Sequence, residues 1–180
     1  MKTVLVLFAK GSEELEAVTI VNILRRAGVA VTLAGIEEGP LSGARNITLL
    51  PDTALGRVLH ENFDMVVLPG GQPGTDNLKA DVRVLELVKR MAGQGKYVAA
   101  ICAAPTVLAA AGLLQGKQAT CYPGYLKDDT SIHLKTSAVV EDGQLITSRG
   151  PGTAMDFALA LAEKLMGKAK RDEVEAGLVR

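Results

Sequence analysis

The chain has 180 residues, 48% of them hydrophobic, enough to bury a core without disulfide or metal staples. Its 20 basic and 20 acidic residues cancel, so no net field favours nucleic acid or an anionic membrane surface, and no stable nucleic-acid partner is expected. Two cysteines are too few for a secreted disulfide framework, and no segment approaches the roughly 20 apolar residues of a membrane span; a single domain over residues 1–180, in the reducing cytoplasm, is the expectation.

The first apolar run, Val4 to Ala9, is shorter than a signal-peptide core and runs straight into Lys10-Gly11-Ser12-Glu13-Glu14, so it reads as a strand. Ser12 then stands as the N-cap of a helix from Glu13 to Ala27, with Glu13, Glu14 and Glu16 suiting the positive end of its dipole. At about 100° per residue Glu16 shares the apolar stripe of Ile20, Ile23 and Ala27, whereas Glu14 falls with Arg25 on a polar side. Leu15 and Val18 interrupt the polar side, either as ordinary exposed residues or as a partner surface. Further strands are predicted over Val29 to Ala34, Met65 to Leu68 and Val98 to Ile101, and helices over Val82 to Ala92, Pro105 to Ala111 and Pro151 to Met166. Gly28, Gly93 and Gly167 stand at the expected helix stops. Ala138 to Thr147, with Asp142-Gly143 at its centre, reads as a hairpin added late to the sheet. None of the other strands alternates polar with apolar residues, which is the mark of a mostly parallel sheet covered by helices on both faces, an α/β fold.

In such a sheet ligands bind beyond the carboxyl ends of the strands, which directs attention to Gly11–Glu16, Pro69–Gly74, Cys102–Pro105 and Gly150–Thr153. Cys102 follows a strand and precedes a helix opened by Pro105, so its sulfur should face unpaired N–H groups and carry a lowered pKa. Position alone leaves a buried structural cysteine as the other reading; Cys121, without such context, takes that reading outright. Glu16, at the head of an apolar stripe, should lose hydration and keep its proton near neutral pH, as a hydrogen-bond donor to the thiolate and a general acid or base. Pro69-Gly70-Gly71 reads as a turn or, with the Ala103 amide, as an oxyanion hole. Gly150-Pro151-Gly152-Thr153 reads first as a helix start and second as an anion site. The two histidines, His60 and His133, follow no core strand, which leaves no Cys-His pair and no zinc site, and the phosphate-cradling and dinucleotide glycine motifs are absent, so no cofactor and no metal are expected.

Taken together, Ala9-Lys10-Gly11-Ser12-Glu13-Glu14-Leu15-Glu16, Val67-Leu68-Pro69-Gly70-Gly71, Ala99-Ala100-Ile101-Cys102-Ala103-Ala104-Pro105 and Thr147-Ser148-Arg149-Gly150-Pro151-Gly152-Thr153 resemble the ThiJ/PfpI superfamily across nearly the whole chain, in the branch of the Parkinson disease-associated protein deglycase and its bacterial homologues. The resemblance implies a flavodoxin-like three-layer sandwich and a homodimer, with Leu15 and Val18 in its interface. It implies a reactive cysteine at Cys102 contacted by a protonated Glu16, amide donors from Gly70, Gly71 and Ala103, and Arg45 approaching from the partner subunit. The protease branch has histidine after the cysteine where this chain has Ala103, which argues against a peptidase. Many close relatives have histidine where this chain has Tyr122, which passes proton transfer to Glu16, water or the tyrosine hydroxyl. The activity implied is a cofactor-free, glutathione-independent glyoxalase or deglycase, of the hydro-lyase or hydrolase class, acting on small aldehydes such as methylglyoxal or on glycated side chains. An oxidative-stress sensor or redox-regulated chaperone, working through oxidation of Cys102, is the alternative.

Overall fold

The computed structural model describes residues 1–180. In chain order the elements are β1 (Thr3–Phe8), α1 (Glu14–Arg26), β2 (Ala30–Gly35), β3 (Leu41–Ser42), β4 (Thr48–Leu49), β5 (Thr53–Ala54), α2 (Leu55–Val58), β6 (Met65–Leu68), α3 (Gly74–Ala80) and α4 (Val82–Gly93). They continue with β7 (Tyr97–Ile101), α5 (Pro105–Ala110), β8 (Gln118–Ala119), β9 (His133–Leu134), β10 (Val139–Asp142), β11 (Leu145–Ser148), a 3-10 turn at Pro151–Thr153, α6 (Ala154–Met166) and α7 (Lys168–Ala176).

Seven strands form one sheet in the order β10-β11-β7-β6-β1-β2-β5, parallel throughout except for the β10–β11 hairpin. Along β1 both residue parities are apolar because both faces are covered. Val4, Val6 and Phe8 pack with Ile20, Ile23 and Leu24 of α1 and Phe157 and Leu161 of α6, while Leu5 and Leu7 pack with Val84, Leu87 and Val88 of α4 and Val107 and Leu108 of α5. This is the expected flavodoxin-like sandwich, with the predicted hairpin added late. No helix is long and apolar enough to cross a membrane.

The strand order also locates the crevice. From β1 the chain builds outward through β2 and β5, then crosses back to place β6 on the other side of β1. That reversal opens the sheet beyond the carboxyl ends of β1 and β6, where a doubly wound fold binds its ligand.

Three local readings need correction. Helix α4 runs through Gly93 and stops only at Gly95, whose positive φ of 70° supplies the left-handed turn. Ser12 does not cap α1: Glu13 holds the cap position without a side-chain bond, and the buried Ser12 hydroxyl instead accepts the Ala9 N–H at 3.0 Å. The segment from Pro151 is a 3-10 turn before the helix proper begins at Ala154.

Candidate active site around Cys102

The strand β7 delivers Cys102 into a sharp turn in which it adopts a left-handed φ of 64°, a conformation that costs a non-glycine residue about 1–2 kcal/mol. The turn is held from both sides. The Cys102 N–H donates to the Ser148 carbonyl at 3.0 Å, and the Cys102 carbonyl accepts the Tyr122 N–H at 2.8 Å. With its main chain fixed in this way, the side chain is directed at the loop after β6 instead of continuing the sheet.

That loop is glycine for steric reasons. A Cβ on Gly70 would stand 2.6 Å from the Cys102 Cβ, and one on Gly71, whose φ is 84°, would stand 2.4 Å from the Glu13 nitrogen. Backbone approach this close turns the two successive amides to different tasks. The Gly70 N–H donates to Glu16 Oε2 at 2.6 Å, and the Gly71 N–H, together with that of Ala103, is directed to the Cys102 sulfur. The expected role of Gly70 as an oxyanion donor is therefore corrected, since the Glu16 carboxyl occupies its amide. Gly71 and Ala103 make no backbone hydrogen bond through their amides and are the two donors at the thiol.

Glu16 points inward from α1, as its place on the apolar stripe predicts, and is completely buried. Burial raises its pKa to about 7, against the lowering effect of the Gly70 amide and of the nearby Cys102 thiol; the charge of Glu13 adds a smaller upward push. Oε1 is buried without a conventional donor, which leaves the weakly donating thiol as its neighbour.

The thiol itself departs from expectation. Cys102 does not have a lowered pKa: burial, and then the charge on Glu16, push it up to about 12, and the amides of Gly71 and Ala103 oppose that only in part. Proximity to a helix start predicts the opposite sign, but α5 spans only Pro105–Ala110, and its end effect is outweighed by removal of the sulfur from water. Burial disfavours ionisation of both members of the pair, so the two titrate together and share a proton near neutral pH, with the carboxyl placed to take it from sulfur.

The thiol opens on a cavity of about 260 Å³ lined by Glu13, Arg45, Gln72, Ala103, Tyr122 and Tyr125 among others. Arg45 and Tyr122, both predicted, are present. The Arg45 of the same chain lines the cavity of Cys102. It is carried there by the turn between β3 and β4, and that turn hangs on Glu14, whose Oε1 accepts the Arg45 N–H at 2.8 Å and the Ile47 N–H at 3.0 Å. Glu14 is accordingly buried, not part of a solvated polar face, because the turn covers the side of α1 that a helical wheel leaves open. Tyr122 is 46% exposed and stacks edge-on with Tyr125, their centroids 6.3 Å apart. Leu15 and Val18 are outside this cavity, about half exposed on α1.

Glu13, Gln72 and Tyr125 were not among the residues singled out from the sequence. Glu13 and Gln72 lie in the two post-strand loops Gly11–Glu16 and Pro69–Gly74; Tyr125 carries no local signal. His60 and His133 do not line the cavity, and Thr153 is engaged with Ser148 and Gly150 at the helix start.

Residues 2–164 match the DJ-1/PfpI family. Over 181 residues the chain is 45% identical to protein dj-1beta of Drosophila melanogaster, covering 99% of this chain and 97% of that one. The crystal structure of Drosophila melanogaster DJ-1beta has a TM-score of 0.95 at 44% identity, covering 99% of this chain and 97% of that chain. A Caenorhabditis elegans protein named glutathione-independent glyoxalase DJR-1.2 is 36% identical over 168 residues, 91% of this chain and 88% of its own. The oxidized form of Toxoplasma gondii DJ-1 has a TM-score of 0.94 at 35% identity, covering 99% of this chain and 98% of that chain.

Proposed function

The chain belongs to the DJ-1/PfpI family, and on that premise we propose that it is a cofactor-free glyoxalase that converts 2-oxoaldehydes such as methylglyoxal to hydroxy acids, and that takes early glyoxal adducts of side chains into the same steps once the side-chain amine or thiol leaves with a proton and the aldehyde carbon is freed. The observation that carries the reading is the pairing of a buried carboxyl of pKa about 7 with a thiol that receives two otherwise unused amides. The name of the Caenorhabditis elegans relative supports it.

The proposed steps balance without an external oxidant or reductant. The Cys102 sulfur attacks the aldehyde carbon while its proton passes to the Glu16 carboxylate, forming a C–S bond and a hemithioacetal. The Gly71 and Ala103 amides, already aimed at the sulfur, lie beside the oxygen on which charge develops. Glu16 returns that proton to the new alkoxide and, again a carboxylate, takes the proton from the former aldehyde carbon and delivers it to the neighbouring carbonyl carbon while the hydroxyl proton moves to the neighbouring oxygen. The product is a 2-hydroxy thioester whose C–S bond water cleaves to release the hydroxy acid and restore the thiol. The sum is addition of one water. Arg45 and Tyr122 face the reacting group from the cavity wall. We take the protein to be a single-domain cytosolic homodimer joined through the α1 face that carries Leu15 and Val18.

A second reading is redox sensing. In it two molecules of hydrogen peroxide in turn each transfer one oxygen atom to Cys102 and leave as water, and the resulting sulfinate is held by the same amides and by a protonated Glu16. The oxidized Toxoplasma gondii structure favours it. The two readings separate on incubation with methylglyoxal: the wild type is expected to form lactate, Cys102→Ala none, and Glu16→Gln about a hundredth as much. A wild type that forms no lactate above buffer overturns the enzyme. A mass gain of two oxygens confined to Cys102 after peroxide supports the sensor.

A further inference from the structure

A second cavity, of about 190 Å³, has Tyr122 and Tyr125 in its lining, as the cavity of the thiol does. Three cations line it, Lys127, Lys135 and Arg149, with Thr136 beside them, and no acidic residue does. In a chain whose charges cancel overall, and in which most arginines are paired, these three take part in none of the salt bridges. Arg149 is half-buried, and of its groups only the backbone N–H is bonded, to Ala138; the guanidinium has no partner. A partly desolvated guanidinium without a counter-charge is costly, and its planar fork of donors suits a carboxylate or phosphate.

We infer that this basic cavity is an oxyanion subsite that holds the acidic end of a substrate whose carbonyl reacts at Cys102. The inference rests on the proposed glyoxalase reading and deepens it: the preferred substrates are oxoaldehydes or adducts that carry a carboxylate or phosphate beyond the reacting carbonyl, not methylglyoxal itself. The wall of Tyr122 and Tyr125 couples the two cavities. Tyr122 is tied to the Cys102 carbonyl by its N–H, and it lines both the cavity of the thiol and that of the cations.

Two measurements on the full-length protein test it. In the first, inorganic phosphate is titrated while the backbone amides of residues 122, 124–127, 135 and 149 are followed by NMR. Saturable shifts are expected, weakened about tenfold in Lys135→Gln and in Arg149→Gln and unchanged in Lys89→Gln, an exposed cation remote from the cavity lining. Lys135 is exposed, so its variant is expected to fold even if Arg149→Gln does not. The absence of saturable shifts, or shifts that survive in Lys135→Gln and Arg149→Gln, overturns the subsite. In the second, 4,5-dioxopentanoate is compared with its neutral methyl ester. A kcat/KM about tenfold higher for the acid is expected, with the preference lost in Lys135→Gln. Phosphate binding without that preference overturns the assignment to substrate and leaves a site for a free oxyanion. Phosphate binding with neither aldehyde turned over overturns the glyoxalase reading, and the assignment to substrate with it. Turnover of both aldehydes at equal kcat/KM without phosphate binding overturns the subsite and leaves the glyoxalase.

Discussion

Cys102 and Cys121 occupy neighbouring stretches of backbone, joined through the hydrogen bond from Tyr122 to the Cys102 carbonyl, and both are nearly inaccessible, at 8% and 6% exposure. Burial raises the pKa of both thiols. What separates them is the set of groups each sulfur meets. Cys121 spends its proton on the Tyr125 carbonyl at 3.1 Å and has a cation, Arg149, in its surroundings but no base. Cys102 receives two amide donors and has a buried carboxyl ready to take its proton. Depth of burial is thus a poor guide to a reactive thiol; an adjacent proton acceptor and donors left unused by the backbone are the better one.

The largest expected effect tests that contrast directly. Cys102→Ser should lower lactate formation from methylglyoxal at least about a thousandfold, whereas Cys121→Ser should leave it within about threefold of wild type, both measured as kcat/KM. Comparable losses in the two variants would erase the distinction. Next in size is Glu16→Gln, which keeps an acceptor for the Gly70 N–H but cannot take the thiol proton, and should cost about a hundredfold in kcat. Its pH profile sharpens the point. Wild-type kcat should rise with pH as Glu16 ionises around 7, and the rise should be missing in the variant.

Glu16 also leaves a mark on stability, with a sign that follows from its raised pKa. The folded carboxyl holds its proton more tightly than the unfolded one, so its contribution is complete below pH 4.5 and is lost as the pH rises to about 7. The loss amounts to about 3 kcal/mol at about 1.4 kcal/mol per pH unit. Urea midpoints measured between pH 4 and 8 should fall for the wild type and stay flatter for Glu16→Gln. A change of about 2–3 kcal/mol is also expected for Gly71→Ala, whose Cβ would meet the Glu13 backbone at a left-handed φ of 84°. There the midpoint should fall by a similar amount at every pH. The smallest effect is kinetic: iodoacetamide should label Cys102 about tenfold faster than Cys121, read by peptide mass, because Glu16 can take the Cys102 proton as the C–S bond forms whereas Cys121 donates its proton to a carbonyl and has no base beside it.

Much of the architecture was legible locally. Apolar runs without alternation marked β1, β2, β6 and β7 as strands covered on both faces, and Asp142-Gly143 marked the β10–β11 hairpin, because these signals depend on neighbours only a few residues away. The β3 to β5 region, α3 and α7 gave no such signal. The β strands there are two residues long, and α7 buries only Val174, so neither carries a period to read.

For the site, the sequence by itself determined which side chains end strands and which face of α1 turns inward: Cys102, Glu16, Gly71 and Ala103 follow from position and period alone. Only the tertiary structure decided what those groups do to one another. The assignment of the Gly70 amide to Glu16, the entry of Arg45 on a turn suspended from Glu14, and the sign of the Cys102 pKa shift all depend on segments distant in sequence. The physical reason is that a pKa is set by everything that replaces water around a group, and for Cys102 that environment is built from four separate loops which no local pattern brings together.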